Sequence, residues 1–382
     1  MVDLGDGPVW ALGLMSGTSL DGVDAALLRT DGVEIAAFGP GAERPYREGE
    51  TGAIELIMNA PLDYRPPKDD FLARDLAAAS ADVDRLHAEA VAALLAGAPD
   101  APALIGYHGQ TVAHAPEEGW TWQLGDGGAL ARAANRQVVW DFRTADMQAG
   151  GEGAPLAPFY HWALARHIGA TEPVAFLNIG GVANVTWVDP RAAAPEAEGA
   201  LLAFDTGPGN ALVNDWMTRR SGAPMDRDGA AAGKGDVDWM SLHGRNATNA
   251  YLERKPPKSL DRNTFAAMLE IVNDLSLEDG AATLTALTVE CVAESVAHMA
   301  APPARWLVCG GGRRNPVMMR GLAEKLGAPV DAVEAVGFDG DMLEAQAFAY
   351  LAVRVAKGLP TSAPGTTGCR APVCGGRIAH PA

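Results

Sequence analysis

Short apolar runs that stop at small or polar residues recur along this chain. Residues 9–15 are apolar and end at SGTSLDG, and residues 23–28 resume the run before Asp31-Gly32. That pattern predicts a β-hairpin with a polar tip. A similar unit follows at mid-chain, with a strand at 174–179, a turn at Gly180-Gly181 and a return at 183–188. The common form points to two related halves, although the two sequences differ too much to prove a repeat. Short buried strands are also expected at 104–107, 138–142, 201–204 and 307–309. Apolar residues recur with a helical period at 71–95, 264–275, 281–299, 316–326 and 342–356. Strands alternating with helices predict an α/β fold. Loops are expected at 40–50, 190–199 and 226–257, the last either a substrate-side segment or an ordinary long loop. The Gly- and Pro-rich tail 358–382 is expected to pack as irregular structure.

Length divides this pattern. At 382 residues the chain exceeds one ordinary core, and two domains are expected. A net charge of -18 repels phosphate backbones and anionic lipid, which argues against nucleic-acid and membrane-surface roles. The opening MVDLGDGPVW lacks the basic and apolar regions of a signal peptide, and no apolar run is long enough to span a bilayer. Cys291, Cys309, Cys369 and Cys374 form no CxxC pair and no His cluster accompanies them, so free thiols are expected and a Cys369–Cys374 bridge is not.

Four strings carry candidate chemistry. In GLMSGTSLDGVDAAL, a buried strand delivers Gly17, Thr18 and Ser19 to a tip of backbone amides and hydroxyls that suits a phosphate. Asp21 and Asp24 add carboxylates that could hold magnesium through water. In LNIGGVANVTW, Gly180 and Gly181 again permit close backbone approach. In AFDTGPGNALVNDW, Asp205 ends an apolar strand beside a rigid Gly/Pro loop, a placement that suits a general base or, alternatively, a helix cap. In LVCGGGRRNP, three glycines offer a surface for a flat purine, with Arg313 or Asn315 nearby, or simply turn a strand into a helix. No Walker motif is present. On the substrate side stand GYHGQTVAH, with His108, Gln110 and His114, and VVWDFRTADMQAGG, with Asp141 and Arg143. Arg143 suits a carboxylate or phosphate, or pairs structurally with Asp141.

Taken in order, GLMSGTSLDGVD, GYHGQTVAH, QLGDGGALA, DFRTADMQAGGEGAPLAP, NIGGVAN, FDTGPGN and CGGGRRNP resemble the motifs of anhydro-N-acetylmuramic acid kinases, from Leu12 to about Gly358. The resemblance implies two actin-like (ribonuclease H-like) α/β domains with mixed sheets flanking a nucleotide cleft. Residues 1–145, with 346–382 packing back, would form one domain and 146–345 the other. Gly17, Thr18, Ser19, Leu20, Asp21, Gly22, Val23 and Asp24 would form the first phosphate loop, and Gly180 and Gly181 the second, with Gly207, Gly209 and Asn210 beside the nucleotide. Gly310, Gly311, Gly312 and Asn315 would lie near the adenosine. Asp205 would be the catalytic base. His108, Gln110, Asp141, Arg143 and Glu344 would face the sugar, and Asp21 and Asp24 the metal. The implied reaction uses ATP and Mg2+ to open 1,6-anhydro-N-acetylmuramic acid with water and phosphorylate O6, in cytoplasmic recycling of cell-wall sugars by a homodimer. A conventional sugar kinase and a sugar-free assembly ATPase are the alternatives; product analysis separates the first, and ATP-dependent polymerisation would mark the second.

Overall fold

A computed structural model describes residues 4–59, 70–98, 100–243, 250–260 and 265–381, with backbone only for 70–73 and 243. The chain divides into two compact units, Met1–His167 with Met342–Ala382, and Ile168–Asp341.

The first unit is built on β1 (Val9–Ser16), β2 (Gly22–Thr30), β3 (Ile35–Pro45), β4 (Leu104–Ala115), β5 (Trp120–Leu124), β6 (Gln137–Trp140) and β12 (Arg377–Ala379). Its sheet runs β12-β6-β4-β1-β2-β3, with β5 paired to β4. β1 is antiparallel to β2 and parallel to β4, β2 is antiparallel to β3, and β4 is parallel to β6. Side chains alternate across the pleat. Leu12, Leu14, Ala25 and Leu27 face Val83, Leu86 and Ala90 of the Asp70–Gly97 helix. Gly13 and Gly106 face the other way, where any Cβ would collide with the Ala345 and Phe348 carbonyls. Glycine therefore lets the Leu343–Ala356 helix lie directly on the sheet, and that helix is buried along nearly its whole length.

The second unit repeats this plan with β7 (Val174–Ile179), β8 (Val182–Val188), β9 (Leu201–Pro208), β10 (Arg305–Cys309) and β11 (Val330–Ala332), in the order β11-β10-β7-β8-β9. β7 is antiparallel to β8, β8 to β9, and β10 is parallel to both β7 and β11. In each unit the first three strands form an antiparallel meander, and two further strands, β4 then β6 or β10 then β11, extend the sheet in parallel from the first strand. This is the mixed sheet expected of the actin-like class, present twice. Leu177, Ile179, Val185, Phe204 and Trp306 pack on Val289, Val292, Met318 and Leu322 from two helices, Leu277–Ser295 and Pro316–Leu326.

Several expectations need correction. The 40–50 stretch is largely strand, because β3 completes the meander against β2 as far as Pro45. The tail contributes β12, antiparallel to β6. Within 264–275, the described α-helix is only Met268–Ile271, and residue 264 lies outside the described residues. The expected 226–257 loop, apart from 244–249, packs a second apolar cluster of Trp216, Ala232, Leu242, Tyr251 and Leu252. Residues 146–167 and 342–345 fall in the first unit rather than the second. The cause is the Pro158–His167 helix, whose Tyr160 hydroxyl donates to Gln346 Oε1 at 2.8 Å. All four cysteines are free, Cys374 alone being exposed.

Two buried histidines make stability pH-dependent. Burial pulls His87 down to about 4 and His161 to about 3. Below the ordinary value of 6.5 the unfolded chain binds protons that the folded chain refuses. Each histidine then removes roughly 1.4 kcal/mol per pH unit as pH falls towards its folded value. The urea midpoint is expected to be lower at pH 5 than at pH 7; equal midpoints would show that neither ring is held neutral.

Candidate functional site

In the first unit, residues 17–21 form the tip between β1 and β2, with Thr18, Ser19 and Asp21 exposed. Ser16 Oγ donates to the Gly109 carbonyl at 3.2 Å, and Gln110 Nε2 to the Gly17 carbonyl at 3.1 Å. β4 thus fixes the base of the tip. Leu20 takes φ 55°, which closes the turn with its amide on the Gly17 carbonyl at 3.3 Å. A Cβ on Gly17 would meet nothing closer than Ser19 Oγ at 3.2 Å. Packing therefore leaves room for a side chain there. Gly22 and Val23 differ from the rest of the expected loop. A Cβ on Gly22 would lie 2.7 Å from the Arg44 carbonyl, and Val23 is a core side chain. Their side-chain positions serve the sheet, and Asp24 is half-buried within β2.

β4 extends to Ala115, so His108, Gln110 and His114 lie within a strand rather than after one. His108 is buried, and its Nδ1–H donates to the Gly109 carbonyl at 2.8 Å. That tautomer leaves Nε2 to accept from Arg143 Nε at 3.2 Å and Nη2 at 2.9 Å. Burial, then the Arg143 charge, holds His108 well below its usual range. Arg143 Nη1 donates to the Gly153 carbonyl at 2.9 Å. Three of the five guanidinium N–H groups are thereby committed, and one on each terminal nitrogen remains for an anion. Burial lowers Arg143 to about 10 against the opposing pull of Glu344 and Asp146. Glu344 opens the Leu343–Ala356 helix. Desolvation raises its carboxyl, with Asp21 adding to that effect and Arg143 opposing it.

Asp141 does not pair with Arg143. It takes φ 53° after β6 and bonds Arg377 Nε at 2.9 Å. His108 and Asp141 instead line a cavity of about 260 Å³ with Trp122, Gln123, Trp140 and Arg377. Sequence reasoning missed the two tryptophans, of which Trp122 directly precedes the QLGDGG string and Trp140 directly precedes Asp141. It also missed Asp146. This buried carboxylate accepts from the Gly153 amide at 2.8 Å, the Thr367 hydroxyl at 2.6 Å and the Ser362 hydroxyl. It fixes the glycine loop whose carbonyl orients Arg143.

In the second unit, three separate strings meet. The Gly209 and Asn210 amides donate to the Gly181 and Gly180 carbonyls at 2.9 and 2.7 Å. Asn210 Nδ2 donates to the Ile179 carbonyl at 3.0 Å. A Cβ on Gly209 would collide with the Gly180 carbonyl, and one on Gly310 with Asn178 Oδ1. A Cβ on Gly207 would lie 2.7 Å from Cys291 Cβ, and one on Gly312 2.5 Å from Ile179 Cβ. Gly311 is the more open of the set, its nearest neighbour for a Cβ being Asn210 Nδ2 at 3.7 Å. Asn315 Oδ1 caps the Pro316–Leu326 helix, accepting from Val317 and Met318 amides at 3.0 and 3.2 Å. Arg313 is likewise committed to Glu334 and Asp341.

Asp205 lies inside β9 rather than at its end, beside a bulge that shifts the β8–β9 register. Its Oδ2 accepts from the Leu260 amide at 2.7 Å. Asn210, not Asp205, is the N-cap of Ala211–Ser221. Among the described residues no group of three His, Cys, Asp or Glu side chains is disposed to hold a metal. The exposed Asp21 carboxylate suits magnesium bound mainly by water and phosphate oxygens.

Distant folds offer little beyond this topology. A xylulose kinase from Lactobacillus acidophilus aligns over 98% of this chain and 94% of its own at TM-score 0.44 and 10% identity. A ROK family glucokinase from Streptomyces griseus covers 90% and 98% at TM-score 0.40 and 14% identity. Sequence comparison reaches further. The anhydro-N-acetylmuramic acid kinase of Roseobacter denitrificans is 52% identical over 375 residues, 98% of this chain and 95% of that protein. The kinase of the same name from Ruegeria sp. is 54% identical over 375 residues, 98% and 96% of the two chains. The family model for anhydro-N-acetylmuramic acid kinase matches residues 9–381, and the chain belongs to that family.

Proposed function

We propose that the protein uses ATP to open 1,6-anhydro-N-acetylmuramic acid and phosphorylate O6, giving N-acetylmuramic acid 6-phosphate and ADP. The observation that carries this reading is the family match across residues 9–381. Asp205 accepts the proton of a water as its oxygen bonds to C1. The C1–O6 bond breaks, and O6 takes the γ-phosphoryl group. Positioning and charge stabilisation carry most of such a transfer. Gly17, Thr18, Ser19, Gly180 and Gly181 offer the triphosphate amides and hydroxyls, with Gly310 and Gly311 on the adenosine side. Asp21 and Asp24 would hold magnesium through water, and the ion, when bound, neutralises phosphate charge. His108, Gln110, Asp141 and Glu344 line the sugar side. A cytoplasmic homodimer in cell-wall sugar recycling completes the reading, on family grounds.

Incubation with ATP, magnesium and the anhydro sugar, followed by mass spectrometry, tests it. The expected product gains one water and one phosphoryl group. A phosphorylated sugar that keeps its anhydro bridge would favour a conventional kinase instead.

Arg143 is assigned to the lactyl carboxylate. Arg143→Ala is expected to raise the sugar KM at least about tenfold, the loss of a charge-assisted fork, with the ATP KM within threefold of the parent. Arg143→Lys should recover little, because an ammonium cannot reproduce the planar fork held by His108 and Gly153. An unchanged sugar KM in Arg143→Ala would remove this contact.

A further inference from the structure

Lys258 directly follows the 226–257 stretch and is only 3% exposed. A lysine is seldom fully buried unless its charge has work to do. Its Nζ turns back on its own segment, donating to the Tyr251 carbonyl at 3.2 Å and the Leu252 carbonyl at 3.0 Å. His298 Nε2–H donates to that same Leu252 carbonyl at 2.8 Å. The Tyr251 and Phe204 rings lie 4.7 and 5.5 Å from the ammonium. The ammonium therefore closes residues 251–258 into a ring.

Residues 251–260 grip Asp205 at three atoms. The Tyr251 hydroxyl donates to the Asp205 carbonyl at 2.8 Å. The Asp205 amide donates to the Lys258 carbonyl at 3.1 Å. Two residues further on, the Leu260 amide donates to Asp205 Oδ2 at 2.7 Å. These three contacts come from the two ends of one segment, and Lys258 ties those ends together.

We propose that Lys258 is a positioning residue: its buried ammonium holds residues 251–260 as a clasp that aims the Asp205 carboxylate and biases it towards the charged form. The proposal rests on the reading of Asp205 as the base. Among the described residues, the titratable and charged groups facing the ammonium are Tyr251, Arg254, Cys291, His298 and Asp205. Burial, then Arg254, lowers Lys258 to about 8, with Cys291 and Asp205 opposing. The lysine consequently carries its charge at neutral pH.

The test compares Lys258→Met, Lys258→Gln and Lys258→Arg in the full-length chain. Turnover, both KM values, melting temperature and the pH profile of kcat/KM are measured, with Asp205→Asn in parallel. Lys258→Met and Lys258→Gln are expected to lower kcat about tenfold or more, as a base loses its aim, with both KM values within threefold. The acidic limb of their profiles should move to higher pH, because a nearby positive charge favours the carboxylate. Lys258→Arg should restore the limb. If Lys258→Met does not fold, Lys258→Gln carries the same readouts. Normal turnover with an unmoved limb overturns the proposal, as does a lower kcat whose limb stays in place in every variant. An active Asp205→Asn would overturn both this proposal and the base assignment, whereas an inactive Asp205→Asn beside a normal Lys258→Met overturns this proposal alone.

Discussion

Asp205→Asn is expected to bind ATP and sugar normally and to turn over about 100-fold to 10,000-fold more slowly, the range for loss of a general base. The structure makes this substitution conservative in shape. Leu260 donates its amide to one carboxylate oxygen, and an asparagine can present its own oxygen at the same point. The backbone contacts from Tyr251 and Lys258 are untouched. What disappears is proton acceptance. The loss should exceed the lower bound if bridge opening and phosphoryl transfer are coupled, since neither step then proceeds efficiently alone. Equilibrium binding with single-turnover product analysis separates chemistry from affinity. Normal product formation would move the search for the base to Asp21, Asp24 or Glu344.

Gly209→Ala is expected to weaken ATP binding by at least about tenfold, through the backbone shift that overpacking forces. The added Cβ would collide with the Gly180 carbonyl. The Gly209 and Asn210 amides that brace the second glycine turn would then be displaced together. Melting temperature should fall as well, because the collision exists without any ligand. Gly17→Val makes the contrasting case. Its Cβ meets nothing closer than the rotatable Ser19 Oγ at 3.2 Å, so stability should be retained. ATP binding should still weaken about tenfold or more, because bulk at the tip keeps phosphate away from the backbone. Calorimetry on both variants gives the outcome. Normal ATP affinity in Gly17→Val would mean that the first tip does not meet the nucleotide.

Much of the molecule was legible from local pattern. Strands at 174–179 and a helix at 316–326 match Val174–Ile179 and Pro316–Leu326, because alternation, helical period and an Asn-Pro start are written into adjacent residues. Strand ends were less legible. β4 and β9 run past their apolar cores as Gln110 to Ala115 and Asp205 to Pro208 pair with neighbouring strands. Residues 40–45 of β3 read as part of a loop at 40–50 for the same reason: their small and charged side chains belong to a strand only once β2 lies beside them.

The sequence by itself determined that the chain is α/β, that it holds two strand-turn-strand units, and which family its ordered motifs resemble. Those properties depend on neighbours a few residues apart, or on strings long enough to be specific. Tertiary structure decided what individual polar residues do. Asn315 Oδ1 caps a helix, Val23 belongs to the core, and Asp141 turns to Arg377 while Arg143 turns to His108. Asp146 and Lys258 were invisible because their partners come from afar. Asp146 meets Ser362 and Thr367 only after the chain returns to the first unit, and Lys258 reaches Asp205 only where residues 251–260 fold against β9. A hydrogen bond is set by position and direction in space, and parallel crossovers bring together residues that no local spacing connects.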